Sequence, residues 1–424
     1  MFVGRAWDPS RLKALLSNWL RRRLSVMATM RELNLQDSDT PRTIPKLRSV
    51  LGKPLDVVIV RFDGIGDWTL TLPLVEALVD SVDVGSVSVV APPSHRALLE
   101  RLDAVRYVAY EGGTTMQPRP SRIRGFGKLR AVSFLAQRTA LNCGRAHSGS
   151  FDLAIVPRWD SDIGFNARAW ALGVAAPMVG HDPACIPNVT AKEREESSIL
   201  AMPVRDEGTS KHEIGHLVAL MANLGLDTSI RSDYGSRFFG LSSRREVVNQ
   251  ESPYVALHPS ASSAKREWPV SEWRAIVAAL LGEGNRRITL IGSPSDAVRH
   301  EKIMDGFGPR ISSSAGVTPL GELPALLASA ESFIGNDSGP AHIAASVGVP
   351  VVVVSPHPAD GNPSHANSPV RFAPWGKCVE VVQPRTALWP CRDACESSKP
   401  HCITQVTADQ VLAAHSRVIA RARS

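Results

Sequence analysis

Short apolar runs alternate along this chain with helical patterns, and this alternation restricts the fold more than any other feature. Residues 57–60 are all valine or isoleucine, as in a strand that is buried on both faces of a parallel sheet. A glycine-containing turn follows at residues 64–67, and Leu70, Leu74 and Leu78 then continue at helical spacing. Repetition of this unit predicts an α/β protein with doubly wound, mostly parallel sheets.

The alternation occurs in two series, which are separated by a polar, irregular stretch at residues 231–249. Further strands are predicted at residues 87–91, 153–156, 254–257, 288–291, 332–334 and 351–354. Because 424 residues exceed the length usual for one domain, we expect two α/β halves with a ligand cleft between them. The predicted division is an N-terminal extension with a linker at residues 1–50, a first half at 51–240 and a second half at 241–424.

The formal net charge of +7 favours an acidic partner, such as a phosphorylated lipid, a nucleotide or a nucleic acid. We expect no nucleic-acid partner, since the chain has no RNP-type motif, no zinc-finger spacing and no basic stripe interleaved with aromatic residues. No stretch approaches the roughly 20 apolar residues of a membrane span. The first residues also lack the apolar run of a secretory signal, which predicts a cytoplasmic protein with mostly reduced cysteines.

Two basic segments leave alternatives open. Residues 11–27 predict an amphipathic helix with its basic residues largely off the apolar face. Such a helix lies on the anionic inner face of a membrane or packs against protein, and the pattern fits both. Residues 112–145 contain seven arginines and lysines among glycines and prolines, and predict either a solvated insertion or a loop that grips substrate phosphates.

The turn Gly64-Ile65-Gly66-Asp67 follows the first predicted strand. A dinucleotide-binding turn requires a third glycine three positions after Gly66, but Thr69 stands there, so we disfavour an NAD-dependent oxidoreductase. Asp67 lies where the strand ends and the helix begins, which is the usual ligand crevice of such a sheet. The residues alone leave two roles open for Asp67: an N-cap of the helix or a catalytic base.

The second half contains the features of a nucleotide-diphosphate site. A strand ends before residues 335–342, and Pro340 suits the first turn of a helix whose N-terminus attracts phosphate. Lys265 and Arg266 follow another strand and offer cations, while Asp296 follows a further strand and suits ribose hydroxyls. Since no acidic cluster is evident there, we expect this site to work without a metal or another cofactor.

Three segments together resemble glycosyltransferase family 9, which contains the ADP-heptose:lipopolysaccharide heptosyltransferases. They are residues 58–67, 257–269 and 335–342, and the resemblance extends over residues 55–414. It implies a GT-B fold, in which two Rossmann-like domains face each other across a cleft. The first half would then hold the acceptor and the second half the nucleotide sugar, with inverting transfer that needs no metal.

The resemblance also implies roles for individual residues. Asp67 corresponds to the general base, in an acceptor-side turn with Gly64 and Gly66. Lys265 corresponds to a basic residue at the donor phosphates, although one extra residue before Trp268 leaves Arg266 as an alternative. The other implied donor-binding residues are Ser260 at the phosphates, Asp296 at the ribose, and Asp337, Ser338, Gly339 and His342 in the sugar and diphosphate loop.

The implied reaction moves a heptose or a related sugar from an ADP-sugar to a hydroxyl of a lipopolysaccharide core or another glycan. The acceptor and the exact sugar stay open, and contact with a membrane depends on the N-terminal helix alone. Two alternatives are an autotransporter-type protein heptosyltransferase and a sugar-nucleotide-binding protein without catalytic activity.

Cys391, Cys395 and Cys402 form a cysteine-containing tail. In one subgroup of the resembled family, which glycosylates autotransporter proteins, cysteines in this region hold iron. A fourth ligand would have to come from His401, Cys378 or elsewhere. Buried thiols without a metal are the alternative.

Overall fold

A computed structural model gives the structure of the chain. It describes residues 43–110, 139–159, 166–185, 200–206, 212–241, 254–365 and 367–424. The amphipathic helix expected at residues 11–27 lies outside the described residues, as does the expected basic segment apart from residues 139–145, which are helical. Among the helices of the described residues, none is both long enough and apolar enough to cross a membrane.

The described strands form two sheets of six strands each, and every pairing is parallel. The first sheet contains β1 (Leu55–Val60), β2 (Val84–Ala91), β3 (Val105–Ala109), β4 (Leu153–Val156), β5 (Met178–His181) and β6 (Met202–Val204). The second contains β7 (Tyr254–His258), β8 (Arg287–Leu290), β9 (Ile311–Ser313), β10 (Ser332–Asn336), β11 (Val351–Val354) and β12 (Val379–Val382). The strands predicted from the apolar runs are all present, with ends that differ by three residues or fewer.

Both sheets have the same strand order. It is β3-β2-β1-β4-β5-β6 in the first and β9-β8-β7-β10-β11-β12 in the second. In each sheet the order reverses next to the first strand, between β1 and β4 and between β7 and β10. Ligands of open α/β sheets bind at this switch point, outside the carboxyl ends of the strands. The predicted α/β fold with two parallel sheets is confirmed, and the loops after β1, β7 and β10 are placed to form a site.

Helices connect the strands and cover both faces of each sheet. Besides the helical residues 139–145, the described α-helices are α1 (Ile44–Leu51), α2 (Ile65–Asp80), α3 (Arg96–Leu99), α4 (Asn166–Val174), α5 (Glu213–Asn223), α6 (Val270–Gly282), α7 (Ala297–Met304), α8 (Leu323–Ala328), α9 (Gly339–Ser346), α10 (Pro369–Phe372) and α11 (Ala408–Arg423). Ile44 and Leu47 of α1 are buried in the core of the first sheet. The described end of the predicted extension at residues 1–50 therefore packs against the first half.

Strand β1 shows why its apolar run is continuous. Val57 and Ile59 are buried in the core on one face of the sheet, and Val58 and Val60 in the core on the other face. Successive side chains of a strand point to opposite faces, so a strand covered on both faces needs apolar residues at every position. β1 thereby fixes the position of the turn that follows it.

Candidate active site between the two sheets

Asp67 is held in place by the turn after β1. Gly64 occupies the N-cap position of α2, and Asp67 is the third residue of that helix. The Oδ2 atom of Asp67 accepts a hydrogen bond of 3.1 Å from the backbone N–H of Gly64. The expectation that Asp67 could itself be the N-cap is thus corrected: it closes the turn from inside the helix, as in a capping box.

The other oxygen of Asp67 faces Arg61, a residue that the sequence analysis did not single out. Arg61 Nη2 lies 3.3 Å from Asp67 Oδ1, Nε donates to Asp63 Oδ2 at 2.9 Å, and Nη1 donates to Thr71 Oγ1 at 2.9 Å. Only 3% of the Arg61 side chain is exposed. The sequence contained a signal for Arg61, because it is a charged residue directly after a buried apolar strand. A buried charge requires partners of opposite charge nearby.

The pKa of Asp67 is raised to about 6, first by burial and then by the negative charge of Asp63. Glu213 adds to the rise in pKa, while Arg61 and Arg158 oppose it. The side chain still keeps 23% of its surface exposed, so solvent or a substrate can reach the carboxylate. A carboxyl group that titrates close to neutral pH suits a general base.

Asp63 has the opposite electrostatic environment. Burial favours its neutral form, but Arg158 and then Arg61 outweigh that effect and hold the pKa of Asp63 below its ordinary value. Arg158 Nη1 lies 2.7 Å from Asp63 Oδ1. Two neighbouring carboxyl groups therefore behave differently: Asp63 stays ionised while Asp67 titrates, which separates a structural from a proton-accepting role.

In the second half, Asn336 ties together the loops that follow β7 and β10. This buried side chain accepts a hydrogen bond of 3.3 Å from the backbone N–H of Trp268 through Oδ1. Its Nδ2 atom donates to the carbonyl oxygen of Pro259 at 2.7 Å. The loop containing residues 259–268 and the loop containing residues 336–338 thereby form one surface at the switch point of the second sheet.

Helix α9 begins at this surface. Ser338 is its N-cap and has an extended backbone, but its side chain does not cap the helix. Instead, Ser338 Oγ lies 3.0 Å from His258 Nδ1 and 3.0 Å from the carbonyl oxygen of Asn336. Because the Ser338 side chain points elsewhere, it does not cap the first backbone N–H groups of α9, an arrangement typical of an anion-binding helix end.

The two basic residues after β7 point to different places. Arg266 Nη2 donates to the carbonyl oxygen of Asp337 at 2.8 Å and to its Oδ2 at 2.6 Å. Lys265 Nζ instead donates to the carbonyl oxygen of Cys395 at 3.0 Å. The structure thus brings Arg266, the alternative from the sequence analysis, directly to the loop before α9. The predicted role of Lys265 at the donor phosphates stays a prediction.

Ser260 and Asp296 lie together at the ends of β7 and β8. Asp296 Oδ2 accepts hydrogen bonds from the backbone N–H and the hydroxyl of Ser293, at 2.7 and 2.8 Å. Burial opposes ionisation of Asp296, but the hydroxyl groups of Ser260 and Ser293 bring its pKa below the ordinary value. Although Ser260 Oγ is near enough to act on this pKa, it is buried without a hydrogen bond of ordinary geometry. A ligand hydroxyl could complete its bonding.

Glycines allow the two halves to meet at the starts of α2 and α9. A Cβ atom on Gly66 would lie 2.7 Å from His342 Cδ2, and a Cβ atom on Gly339 would lie 3.3 Å from Ile65 Cβ. His342 is buried, and this burial lowers its pKa to about 4, so its ring is neutral at neutral pH. The structure therefore places the turn containing Asp67 against the loop containing Ser338 and Gly339. The sequence alone had established only the order of these two segments along the chain.

Helix α5 makes a second contact between the halves. His212 Nδ1 accepts a hydrogen bond from the Ile214 N–H, and its Nε2 lies 3.0 Å from the carbonyl oxygen of Ala373. Glu213 forms a buried ion pair with Arg371 of α10. These two contacts, from His212 and Glu213, hold the start of α5 against the segment that contains α10.

Comparison with known proteins gives the family. The model of glycosyltransferase family 9 (heptosyltransferase) matches residues 191–400. Lipopolysaccharide heptosyltransferase 3 of Escherichia coli is 34% identical over 101 residues, which are 23% of this chain and 30% of that protein. The protein of the same name from strain K12 is 28% identical over 181 residues, which are 42% of this chain and 50% of that protein. The chain belongs to glycosyltransferase family 9. It spans half or less of the length of these curated relatives.

A solved structure of a heptosyltransferase shows the same fold. Heptosyltransferase WaaC of Escherichia coli with ADP superimposes with a TM-score of 0.60 at 18% sequence identity. The match covers 85% of this family 9 chain and 99% of WaaC. The two parallel sheets and this likeness confirm the GT-B fold expected from the sequence.

The family 9 chain also has a set of side chains, between β12 and α11, that could hold a metal ion. Among the described residues, the ligand atoms of Cys391, Cys395, His401 and Cys402 all lie within 4.8 Å of one another. His401 thus supplies the fourth ligand atom, and Cys378 is not part of this group. The sulfur atoms of Cys391 and Cys402 lie 3.6 and 3.5 Å from His401 Nδ1.

These distances can be compared with those of a metal site. Ligand bonds of about 2.3 Å for sulfur and 2.0 Å for nitrogen in a tetrahedron place sulfur and nitrogen roughly 3.5 Å apart. The residues therefore fit a tetrahedral ion. Burial raises the pKa of Cys402 to about 12 in the absence of an ion, and metal binding would remove that proton.

Proposed function

We propose that this chain is an inverting heptosyltransferase that moves a heptose from ADP-heptose to a hydroxyl of a lipopolysaccharide core or a related glycan. The observation that carries the proposal is the direct apposition of the Asp67 turn and the start of α9, through Gly66 and His342. A base and an anion-binding helix end then face one cleft. The names of the relatives support the choice of sugar and acceptor.

Asp67 acts as the general base in this proposal. Its ionised carboxylate accepts the proton of the acceptor hydroxyl while that oxygen attacks the anomeric carbon of the donor sugar. The bond from that carbon to the diphosphate breaks on the opposite face, which inverts the configuration. Arg61 and the Gly64 N–H each hold one oxygen of the carboxylate and so fix its orientation.

The second half stabilises the leaving diphosphate. Negative charge grows on the departing oxygen, and the start of α9 at Ser338 and Gly339 offers backbone N–H groups and the positive end of the helix dipole. Arg266 lies at the same loop. We assign Lys265 to the phosphates as well, as the family resemblance implies. We assign Asp337 and His342 to the donor sugar and the diphosphate.

Ser260 and Asp296 are assigned to the nucleoside end of the donor. The ionised Asp296 accepts hydrogen bonds from ribose hydroxyls, and the buried Ser260 Oγ beside it completes this end of the site. No metal is required at the reacting centre, since amides and cations there face the diphosphate. An ion held by Cys391, Cys395, His401 and Cys402 would stabilise the tail structurally.

The acceptor and the location complete the proposal. A net charge of +7 suits a phosphorylated glycolipid on the inner face of the cytoplasmic membrane. The first half, with Asp67 at its switch point, holds the acceptor, and the second half holds the donor. Contact of the chain with the membrane surface, through residues 11–27, is part of the same proposal.

The deciding experiment measures ADP release from ADP-heptose. The chain is incubated with ADP-heptose alone, with a truncated lipopolysaccharide core oligosaccharide, and with an autotransporter passenger protein, beside the matched variant Asp67→Asn. We expect release that depends on the oligosaccharide and is lost in the variant. Release that depends on the protein instead would indicate the autotransporter-type activity, and donor binding without release under any condition would indicate a binding protein.

A further inference from the structure

Three arginines and three carboxyl groups lie in one buried cluster at the cleft. The charge cluster consists of Arg61, Asp63, Asp67, Arg158, Glu213 and Arg371. Five of these residues come from the first half. Arg371 alone comes from the second half, where it lies in α10 between β11 and β12.

Glu213 links Arg371 to the rest of the charge cluster. One oxygen of Glu213 pairs with Arg371 Nη2, and the other lies 3.9 Å from Arg61 Nη2. The side chains of Glu213 and Arg371 are only 4% and 5% exposed. Arg61 in turn contacts Asp67, so an unbroken series of ionic contacts joins the second half to the proposed base.

Arg371 reaches Glu213 only while the two halves are together. Its guanidinium carbon lies 5.3 Å from the ring centre of Trp159, which follows β4 of the first half. The next residue, Phe372, packs against the core of the first sheet, and the carbonyl oxygen of Ala373 contacts His212 Nε2. Opening of the cleft would therefore withdraw Arg371 along with its neighbours.

The balance of charge changes with that movement. In the closed cleft, with Asp67 ionised, three positive groups face three negative ones. If Arg371 is withdrawn, only Arg61 and Arg158 remain to balance three negative groups, which are Asp63, Glu213 and an ionised Asp67. When several negative groups share a buried site, each one raises the pKa of the others. In the charge cluster Asp63 is held ionised by two arginines, and Asp67 is a carboxyl group whose pKa the charge of Glu213 raises.

We infer that Arg371 is a positioning residue that couples contact between the two halves to the ionisation of Asp67, by neutralising Glu213 in the closed cleft. This rests on the proposed role of Asp67 as the base. In the closed cleft the Arg371–Glu213 pair favours the ionised form of Asp67, which is the form that accepts the proton of the acceptor hydroxyl.

Other groups packed near Asp67 do not provide this coupling. His342 of α9 and His212 before α5 both have a pKa lowered by burial, so they are neutral at neutral pH. Asp337 and Arg266, beyond His342, balance each other as an ion pair. The charge of Glu213 raises the pKa of Asp67 in the closed structure, in agreement with the sign of the inferred effect.

The test compares pH profiles of kcat/KM for two variants with wild type, using ADP-heptose and the core oligosaccharide. Arg371→Met leaves the Glu213 charge unpaired, so the acid limb should move up by roughly one pH unit. Glu213→Gln removes a negative charge near Asp67, so the acid limb should move down. A purely structural contact between the halves would lower activity in both variants without opposite shifts.

Two further variants control for folding and for charge. Arg371→Lys keeps the positive charge and should leave the acid limb close to that of wild type. ADP affinity and circular dichroism establish that each variant is folded with an intact second half.

If Arg371→Met does not fold, the downward shift in Glu213→Gln still decides the matter. Acid limbs that coincide with wild type, or that move in the same direction in Arg371→Met and Glu213→Gln, would overturn the inference.

The outcome can be separated from failure of the proposed function. Unchanged turnover in Asp67→Asn removes the assignment of the base, whatever Arg371 does. If no acceptor is turned over, the protonation of Asp67 is followed directly by carboxyl-carbon NMR titration in the full chain, assigned with Asp67→Asn. The same opposite shifts in the two variants support the coupling, and their absence overturns it.

Discussion

Gly66 and His342 touch across the cleft, although 276 positions separate them in the sequence. A Cβ atom on Gly66 would lie 2.7 Å from His342 Cδ2, nearer than two carbon atoms can pack. Gly66 immediately precedes Asp67, so any displacement of this contact moves the proposed base. The contact thus joins the acceptor-side turn to the loop that we assign to the donor.

Gly66→Ala should hold the cleft partly open. Forcing a methyl group into a packed contact costs about 1–3 kcal/mol, and the two halves can relieve the clash by separating. We expect a clear loss of kcat/KM with little change in ADP affinity, measured by isothermal titration calorimetry beside the transfer assay. Gly282→Ala, in open space at the end of α6, is the matched control and should behave as wild type. Unchanged turnover in Gly66→Ala would show that the contact has no role in closure.

Asp67→Asn should abolish most of the activity and leave donor binding intact. The amide keeps the shape of the side chain and still accepts from the Gly64 N–H, but it cannot take a proton at the rate of a carboxylate. Loss of a general base commonly lowers the rate roughly 10²- to 10⁴-fold. The measurement is kcat for sugar transfer with ADP affinity as the control, and a kcat within a few-fold of wild type would contradict the assignment.

The rate should depend on pH through Asp67. Since burial raises its pKa to about 6, kcat/KM should rise as the pH increases through about 6 and level off above it. Asp67→Asn should lose this limb from its residual activity. An acid limb that persists in the variant would belong to another group.

The same pKa makes a prediction for stability. A carboxyl group whose folded pKa lies above its unfolded value binds its proton more tightly in the folded state. Wild type should therefore lose stability as the pH rises from the unfolded pKa of Asp67 to about 6. Asp67→Asn should unfold at a higher temperature than wild type at neutral pH, with the difference vanishing in acid. Thermal denaturation at both pH values measures it, and a variant less stable at neutral pH would refute it.

The cysteine tail should bind one metal ion per chain. Cys391, Cys395, His401 and Cys402 have the spacing of a tetrahedral site, so we expect zinc or iron in stoichiometric amount by elemental analysis of the purified protein. Cys402→Ser should lose the ion and lower the melting temperature, whereas Cys378→Ser should keep both. The alternative of buried thiols without a metal would be favoured by two results. The purified protein would contain no metal, and a chelator would leave its melting temperature unchanged.

Arg266 should matter more than Lys265 for ADP binding. Arg266 donates to Asp337 at the start of α9, while Lys265 donates to the Cys395 carbonyl. We expect Arg266→Gln to weaken ADP binding by roughly tenfold, which corresponds to about 1.4 kcal/mol, and Lys265→Gln to weaken it less. The reverse order of dissociation constants would restore Lys265 to the phosphate-binding role implied by the family resemblance.

Local patterns were sufficient for the strands and for the ends of the key helices. The run at residues 57–60 predicted β1 because a strand covered on both faces must be apolar at each position. Pro340 correctly marked the beginning of α9. The exact capping arrangement of Asp67 was not predicted, because a carboxylate can reach the first-turn amides from the N-cap or from inside the helix.

The sequence by itself determined the two α/β series, their parallel sheets, and the family, since these depend on the order and spacing of residues along the chain. Only the tertiary structure decided which distant groups share a charge environment. Arg371 and Glu213 are 158 positions apart and pair only because the two halves close on each other. His401 rather than Cys378 joins the cysteines for the same reason. Electrostatic effects depend on distance in space and on exclusion of water, and neither is set by local sequence.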